Sequence, residues 1–472
     1  MVKEKPRWQR RRQGRTPAGR FGTAVKGASV AGRDRMAWSL HLAALRYRFK
    51  ESLFLLPALV MLAGILLAVA ATVLDDALGH DARVPFTLAM SSNAATWLLA
   101  TVAGAMITTV GVVFSLTVVS LQLASDQFSP RVMRSFIRDR LSQLVIGLLV
   151  ATFFYCILVL PNVSGDATDP APRISLTLAV VLTVVTVVGI IVHLDHLARG
   201  LQVGNVARII GREGQAVVAA LDRVPAGLSA VDPAQFHTPA PDAARVPSTM
   251  SGWISQVDTA RLLAAVPPGT VTRMETRVGA YIHAGEPLLT VWPAPSERRR
   301  EDLAGAIEVT DTRTMLQDVD FAIRQLVDIG LRALSPAIND PTTAVEVILR
   351  LGSLMRVVLP ADLAAPALQD GAGRVIVQPW NLDHTEYVEH AFDQLRQTSL
   401  DQPEVVAALL RVLRMLCDHV RAEGCPEHVP ALQHQMKLLL EGVRSQPGLH
   451  PADLQRLENL ASDDTDPADH TR

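Results

Sequence analysis

Five positions in the last third of the chain have the residue types to bind an anion or a partner: Arg324, Asp328, Arg332, Asn339 and Asp340. Asp320, Arg324, Asp328 and Arg332 recur at every fourth residue, which stacks alternating charges along one helix face. Asp340-Pro341 is an N-cap followed by a first-turn proline, so a second helix begins there. A helix N-terminus offers free backbone N–H groups to an anion, and Arg332 would complete such a site. Capping and pairing between helices is the competing reading. Cys417, His419, Cys425 and His428 are all residue types that ligate zinc. Their spacing matches no standard site, and Cys417 falls beside the apolar series Val406, Leu409, Leu413, Leu416 and Val420, where a buried thiol is ordinary. His384, Glu386, Glu389 and His390 read as a solvated helix face. His193, Asp195 and His196 read as interfacial polar residues at a helix C-terminus.

Lysine usage excludes several chemistries. The five lysines are Lys3, Lys5, Lys26, Lys50 and Lys437, and none falls between residues 51 and 436. A phosphate-binding P-loop needs a lysine on the nucleotide, and a Schiff-base enzyme needs one as nucleophile. A lipoyl or biotinyl carrier needs one for attachment. No Gly-x-Ser-x-Gly elbow and no His-Glu-x-x-His zinc motif occurs. Three cysteines cannot build a disulfide framework. The expectation is a protein that is not an enzyme and has neither cofactor nor metal.

The elements that carry these residues divide into two halves. Of the 472 residues, 49% are hydrophobic and 19% charged, with mean hydropathy +0.24; ordinary soluble chains hold about 25% charged residues. The deficit comes from four apolar runs of about 52–74, 94–123, 141–161 and 174–194, each long enough to span a bilayer. In the second run Thr101, Gly104, Thr108, Gly111 and Ser115 recur at 3-4-3-4 spacing, continued by Val118 and Gln122. That spacing keeps one seam along a helix. A small or hydroxylated seam either packs closely on another helix or lines a narrow hydrated path between several copies. Free of charge inside the spans, the chain does not resemble a proton pump or ion-coupled carrier.

Charge orients the spans. Residues 1–50 hold fourteen Lys and Arg against Glu4 and Asp34. The second loop carries Arg131, Arg134, Arg138 and Arg140, whereas the first and third carry Asp75, Asp76, Asp81, Asp166 and Asp169. The positive-inside rule therefore puts both termini in the cytoplasm. A charged stretch this long ahead of a 23-residue core is no signal peptide. Residues 1–36 read as a disordered basic arm that touches anionic lipid; with no aromatic platform beside the charge, nucleic acid is not expected. Trp38, Leu42, Leu45 and Phe49 suit an interfacial helix that leads into the first span within the membrane domain of residues 37–200.

Beyond the spans, residues 201–250 read as a helix and a linker holding Pro225, Pro233, Pro239, Pro241 and Pro247. Residues 251–295 read as a small β-module of short strands between glycines, with Gly279–Val291 its clearest piece. Residues 296–461 read as a helical cytosolic domain, with a charged helix after Thr312 interrupted at Gly330, a helix from Asp340 to about Val358, and further helices at 384–398, 403–421 and 427–444. Arg374–Gln378 adds a strand, and 462–472 is an acidic tail. The fold class is mainly α: a polytopic membrane protein with four transmembrane helices plus a cytosolic domain made of a small β-module and a helical bundle.

Two long motifs carry a resemblance. Met106-Ile107-Thr108-Thr109-Val110-Gly111-Val112-Val113-Phe114-Ser115, continuing to Gln127-Phe128-Ser129-Pro130-Arg131, is one. Asp320–Ile329 running through Arg332-Ala333-Leu334-Ser335-Pro336-Ala337-Ile338-Asn339-Asp340-Pro341-Thr342-Thr343-Ala344 is the other. Both resemble the bacterial predicted membrane-protein family called domain of unknown function 2254, over about residues 40–440. The resemblance implies a prokaryotic inner-membrane protein and no assigned activity. Two functions fit the residues. One is a homo-oligomeric channel or transport-related protein whose second span lines or supports the pathway and whose cytosolic domain assembles or gates it. The other is a membrane-anchored sensor or scaffold whose helix break binds a ligand or partner.

Overall fold

The computed structural model describes residues 55–462 apart from 79–84, 86, 128–139, 164–170, 201, 222–226, 237–238 and 364. The basic arm, the interfacial helix, the acidic tail and most of the loop charges used for orientation (Asp81, Arg131, Arg134, Arg138, Asp166, Asp169) lie outside the described residues.

Four helices are long and apolar enough to cross a membrane: α1 (Leu55–Leu78), α2 (Ser92–Gln127), α3 (Arg140–Val159) and α4 (Arg173–Gly200). They fall on the four expected runs. Helix α3 is the hub, packed on α1, α2 and α4. Glycine makes this possible. A Cβ on Gly64 would stand 2.7 Å from that of Ala151, and one on Gly147 would stand 2.9 Å from the Cα of Pro57. The backbones of α1 and α3 thus approach more closely than larger residues would allow, as expected where no hydrophobic effect drives helices together.

Polar groups tie the bundle where lipid cannot serve them. The Thr152 and Thr186 hydroxyls meet at 2.8 Å, and Tyr155 Oη donates to the Ser175 carbonyl at 2.9 Å. Asp75, expected to be a loop charge, is instead in the last turn of α1 and buried. Its carboxylate accepts the backbone N–H groups of Ile174 and Ser175, at 3.0 and 2.8 Å, and the Ser175 hydroxyl at 2.6 Å. It is a cap for α4 supplied by α1, and it satisfies donors that every helix N-terminus leaves over.

Helix α5 (Val203–Leu221) follows α4 almost at once and enters the helical bundle. Then come β1 (Leu228–Ala230), β2 (Ala244–Pro247), β3 (Gly252–Val257), α6 (Thr259–Ala265), β4 (Val271–Met274), β5 (Tyr281–Ile282), β6 (Pro287–Trp292), α7 (Glu297–Ala304) and β7 (Ile307–Thr310). The bundle resumes with α8 (Val319–Ala333) and α9 (Pro341–Val358), is interrupted by the hairpin β8 (Ala367–Asp370) and β9 (Val375–Val377), and ends with α10 (His384–Thr398), α11 (Pro403–Ala422), α12 (Val429–Arg444) and α13 (Pro451–Ala461).

Six strands in the order β1-β8-β9-β4-β6-β2 form one sheet, and β5-β3-β7 form another. All pairings are antiparallel except β4 with β9. Both sheets share a core with α6 and α7, built from Val246, Ile254, Leu262, Met274, Leu289 and Leu303 among others.

The β-module is therefore wider than residues 251–295. Two of its strands come from the proline-rich stretch read as a linker, and three from the stretch read as helical. Pro247 ends the edge strand β2, and Pro233, Pro239 and Pro241 lie between β1 and β2, while Pro225 is outside the described residues. β1 and β2 are the two outer strands of the larger sheet, where a missing N–H costs no ladder bond, and the β2 register shifts at Pro247. Two details of the bundle also differ from expectation. Helix α8 begins at Val319, where Asp318 accepts the Phe321 N–H, and it runs through Gly330 without interruption. That glycine gives room instead: a Cβ there would stand 2.7 Å from Leu395 of α10. Helices α9 to α12 match the expected ranges closely.

Candidate functional site

The seam of α2 turns away from the rest of the chain. Ala95, Leu99, Ala103, Met106, Val113 and Ser120 make the buried face of this helix. Thr101, Gly104, Thr108, Gly111 and Ser115 are all exposed. A Cβ on Gly104 or Gly111 would have no atom within 4 Å, the opposite of Gly64 and Gly147. The Thr108 and Ser115 hydroxyls donate to the carbonyls of Gly104 and Gly111, both at 2.9 Å. Donation back to residue i−4 keeps a hydroxyl satisfied inside an apolar medium. The seam is thus a shallow, smooth groove flanked by large exposed side chains, Ile107, Val112 and Phe114. No helix among the described residues of the chain packs on its glycines.

The helix break holds the second set. Arg324, Asp328 and Arg332 are half-buried along α8. Arg324 approaches Asp320 at 3.6 Å. Asn339 takes a left-handed backbone, φ 47°, a conformation asparagine tolerates better than most residues. Its side-chain oxygen accepts from Gln402 Nε2 at 3.3 Å. Asp340 caps α9: its carboxylate accepts the Thr343 N–H at 3.0 Å and the Thr343 hydroxyl at 2.6 Å. Those bonds hold the carboxyl below its ordinary range. The first turn of α9 therefore already faces a carboxylate of its own chain, and a second anion there would meet that charge.

The cluster with the densest electrostatics is one the sequence did not single out. Arg313, in the approach to α8, bonds Asp318 through Nε at 2.6 Å and through Nη2 at 3.1 Å, and reaches Asp320 at 2.8 Å. The other Asp320 oxygen meets His390 Nδ1 of α10 at 2.7 Å. Asp318 and Asp320 are buried, at 3% and 2% exposure. The Arg313 guanidinium lies 5.6 Å from the centre of the Trp253 ring and 5.3 Å from that of Phe321. Burial opposes the charge on Asp320, but the bonds from His390 and Arg313 outweigh it and hold the carboxyl far below its usual range. Burial and the two carboxylates push the nearby Tyr387 phenol up. Gly279 (φ 80°) closes over the pair, since a Cβ there would stand 2.2 Å from Asp318 Oδ2.

This network joins the β-module (Trp253, Gly279) to α8 and α10. It is a clamp with its acceptors occupied. His390, read as solvated, belongs to it. The ladder pattern hid it, because Asp320 had seemed one more surface charge and its partners lie 7 and 70 residues away.

The remaining candidates do not converge. His193 is buried 3.5 Å from the Ser142 hydroxyl, whereas His196 is exposed and Asp195 pairs with Arg199 at 3.0 Å. Cys417 is buried in the bundle, His419 Nε2 meets the Arg356 carbonyl at 2.9 Å, and His428 stacks on His384 at 4.1 Å. Among the described residues no three His, Cys, Asp or Glu side chains come together as metal ligands. Shallow concavities of about 210 and 440 Å³ flank α12 and α13, and of the sequence candidates they hold Cys417 alone.

Comparison with known proteins agrees with a membrane protein. The model of the family described as predicted membrane protein (DUF2254) matches residues 50–415. Uncharacterized proteins of Mycobacterium tuberculosis and Mycobacterium bovis are each 31% identical over 360 residues, covering 74% of this chain and 68% of theirs. No solved structure matches.

Proposed function

The chain belongs to the DUF2254 family of predicted membrane proteins, and from that premise we propose that it is a homo-oligomeric inner-membrane protein, channel-like or otherwise transport-related, whose copies meet along the α2 seam. The outward seam supports this reading. A helix with lipid as its permanent neighbour gains nothing from a groove of small residues, whereas a second helix approaches closely over one. The seam offers two empty glycine positions beside self-satisfied hydroxyls. In an assembly around an axis, the same hydroxyls would line the path.

In this reading both termini are cytoplasmic, the basic arm lies on anionic lipid, and the domain after α4 assembles or gates the spans. The protein is not an enzyme, uses no cofactor and binds no nucleic acid. Gly104→Leu and Gly111→Leu, which have room in the isolated chain, would lower the mass of the particle in native mass spectrometry from lipid nanodiscs. An unchanged assembly in both variants refutes the reading.

A reading from another class is a tethered sensor or scaffold, in which the spans anchor and the helix break binds a ligand or partner. The exposed, braced loop before Asp340 favours it. In that case Asp340→Ala abolishes the response and leaves the membrane domain intact, while the α2 variants have no effect.

A further inference from the structure

We infer that the loop of residues 335–339, between α8 and α9, dips into the headgroup–acyl boundary of the bilayer that its own chain spans, with Ile338 as the inserted side chain.

The position follows from how α5 connects the two halves. The junction after α4 is a tight turn: Gln202 N–H and Asn205 Nδ2 both donate to the Arg199 carbonyl at 3.3 Å, and Asn205 N–H donates to the Gln202 carbonyl at 3.0 Å. Helix α5 then lies along α9 in the same direction. Gly204 sits against the Glu346 carboxylate, Gly214 against Leu354, and Gln215 Nε2 donates to the Ser353 carbonyl at 3.1 Å. Gly214 also meets Ala322 near the start of α8, so α8 runs the opposite way and its end returns toward the start of α5. The α8–α9 loop is therefore on the membrane side of the bundle. Asp340 precedes Glu346 by six residues, about 9 Å along a helix. The loop thus sits roughly 10 Å from Gly204, itself four residues beyond the end of α4. The interfacial zone of a bilayer is about 5–8 Å deep on each side of the hydrocarbon, so with α5 leading away from the bilayer along the axis of α4 the loop reaches it.

The loop is built for that medium. A backbone that nears the hydrocarbon is helped by bonds that satisfy its polar groups within the chain. Here Leu334 N–H donates to Gly330, Ser335 N–H to Arg332, Ile338 and Asn339 N–H to Ser335, and Asp340 N–H to Ala333, at 2.8–3.1 Å. Pro336 has no N–H to satisfy. The Ser335 hydroxyl donates to the Arg332 carbonyl at 2.7 Å. Outward remain Pro336, Ala337, Ile338 and Asn339; Ile338 is 45% exposed, and the Asn339 side-chain oxygen is taken up by Gln402. A preformed apolar tip on a charged bundle is a poor solvent face and a good interfacial one.

The inference requires that α4 crosses the membrane and that α5 leads away from it, so it stands or falls apart from the association of copies through α2. In the full chain with Cys156, Cys417 and Cys425 replaced, Ile338→Cys and Leu349→Cys would each carry an environment-sensitive fluorophore in phosphatidylcholine vesicles. Leu349 is 53% exposed on α9, about 14 Å farther from the bilayer than Asp340. Lipid bearing a quencher in its upper acyl chain should quench the label at 338 at least about threefold more than the label at 349, while aqueous iodide favours 349. Equal lipid quenching at the two sites overturns the inference, whether water or another protein surface covers residue 338. Where the cysteine-free chain fails to fold, a photo-reactive residue at 338 in the native background gives the same answer: lipid adducts by mass spectrometry support it, and protein adducts or none refute it.

Discussion

Asp320 shows how much a single residue carries here. It is buried, accepts from Arg313 and His390 at once, and lies between the β-module and the bundle. Removing one member of a buried ion pair leaves the other uncompensated, which costs about 3–5 kcal/mol. Arg313 keeps its two bonds to Asp318, so Asp320→Asn should lower the stability of the cytosolic part by less than that in chemical denaturation, and an unchanged midpoint would contradict the clamp. The pH dependence has a definite sign. Because the folded carboxyl is held below its unfolded value, its contribution is complete above about pH 4 and fades as pH falls through the folded value. Above pH 5 the native chain should show no loss from this group. Below pH 4 its stability should fall more steeply than that of Asp320→Asn. Gly279→Ala tests the same clamp from above, since its new methyl would run into Asp318 Oδ2; destabilisation is expected.

At the scale of elements, two caps hold helix starts in unlike media. Asp340 caps α9 in the bundle, and Asp340→Ala should cost about 1 kcal/mol, read as a small drop in thermal midpoint. Asp75 caps α4 from another helix, with two N–H groups and a hydroxyl on one carboxylate. Asp75→Ala would leave those donors without their acceptor and should cost more, roughly 1–3 kcal/mol for the group left unsatisfied. The comparison is made by unfolding in mixed micelles, and an equal or smaller effect for Asp75→Ala contradicts its role.

The elements also show what could be read from residues alone. The spans were legible because a bilayer demands about 20 apolar residues and nothing else in the chain supplies them. The helices from Asp340 onward were legible from caps and periodicity. The strands β1 and β2 were not, since prolines at a sheet edge and prolines in a linker look alike until the neighbouring strands are known. The Arg313 clamp was hidden for a related reason: its members lie on separate elements, and each alone resembles a surface charge. Periodicity marked the α2 seam as one face, but it could not say which neighbour that face would meet.

At the scale of the whole molecule, the tight packing is internal to α1 and α3, while the most regular run of small residues looks outward from α2. That contrast carries the proposal that copies meet along the seam. Its direct test is disulfide formation between copies in native membranes. Starting from a chain without Cys156, Cys417 and Cys425, single cysteines would be placed at Gly104, Thr108 and Ser115, with Ala103 and Val113 on the buried face as controls. Mild oxidation should produce covalent dimers from the seam positions alone. Absence of dimers at all three, with each cysteine still reactive to a lipid-soluble thiol reagent, would mean that the seam faces lipid and that copies do not meet there.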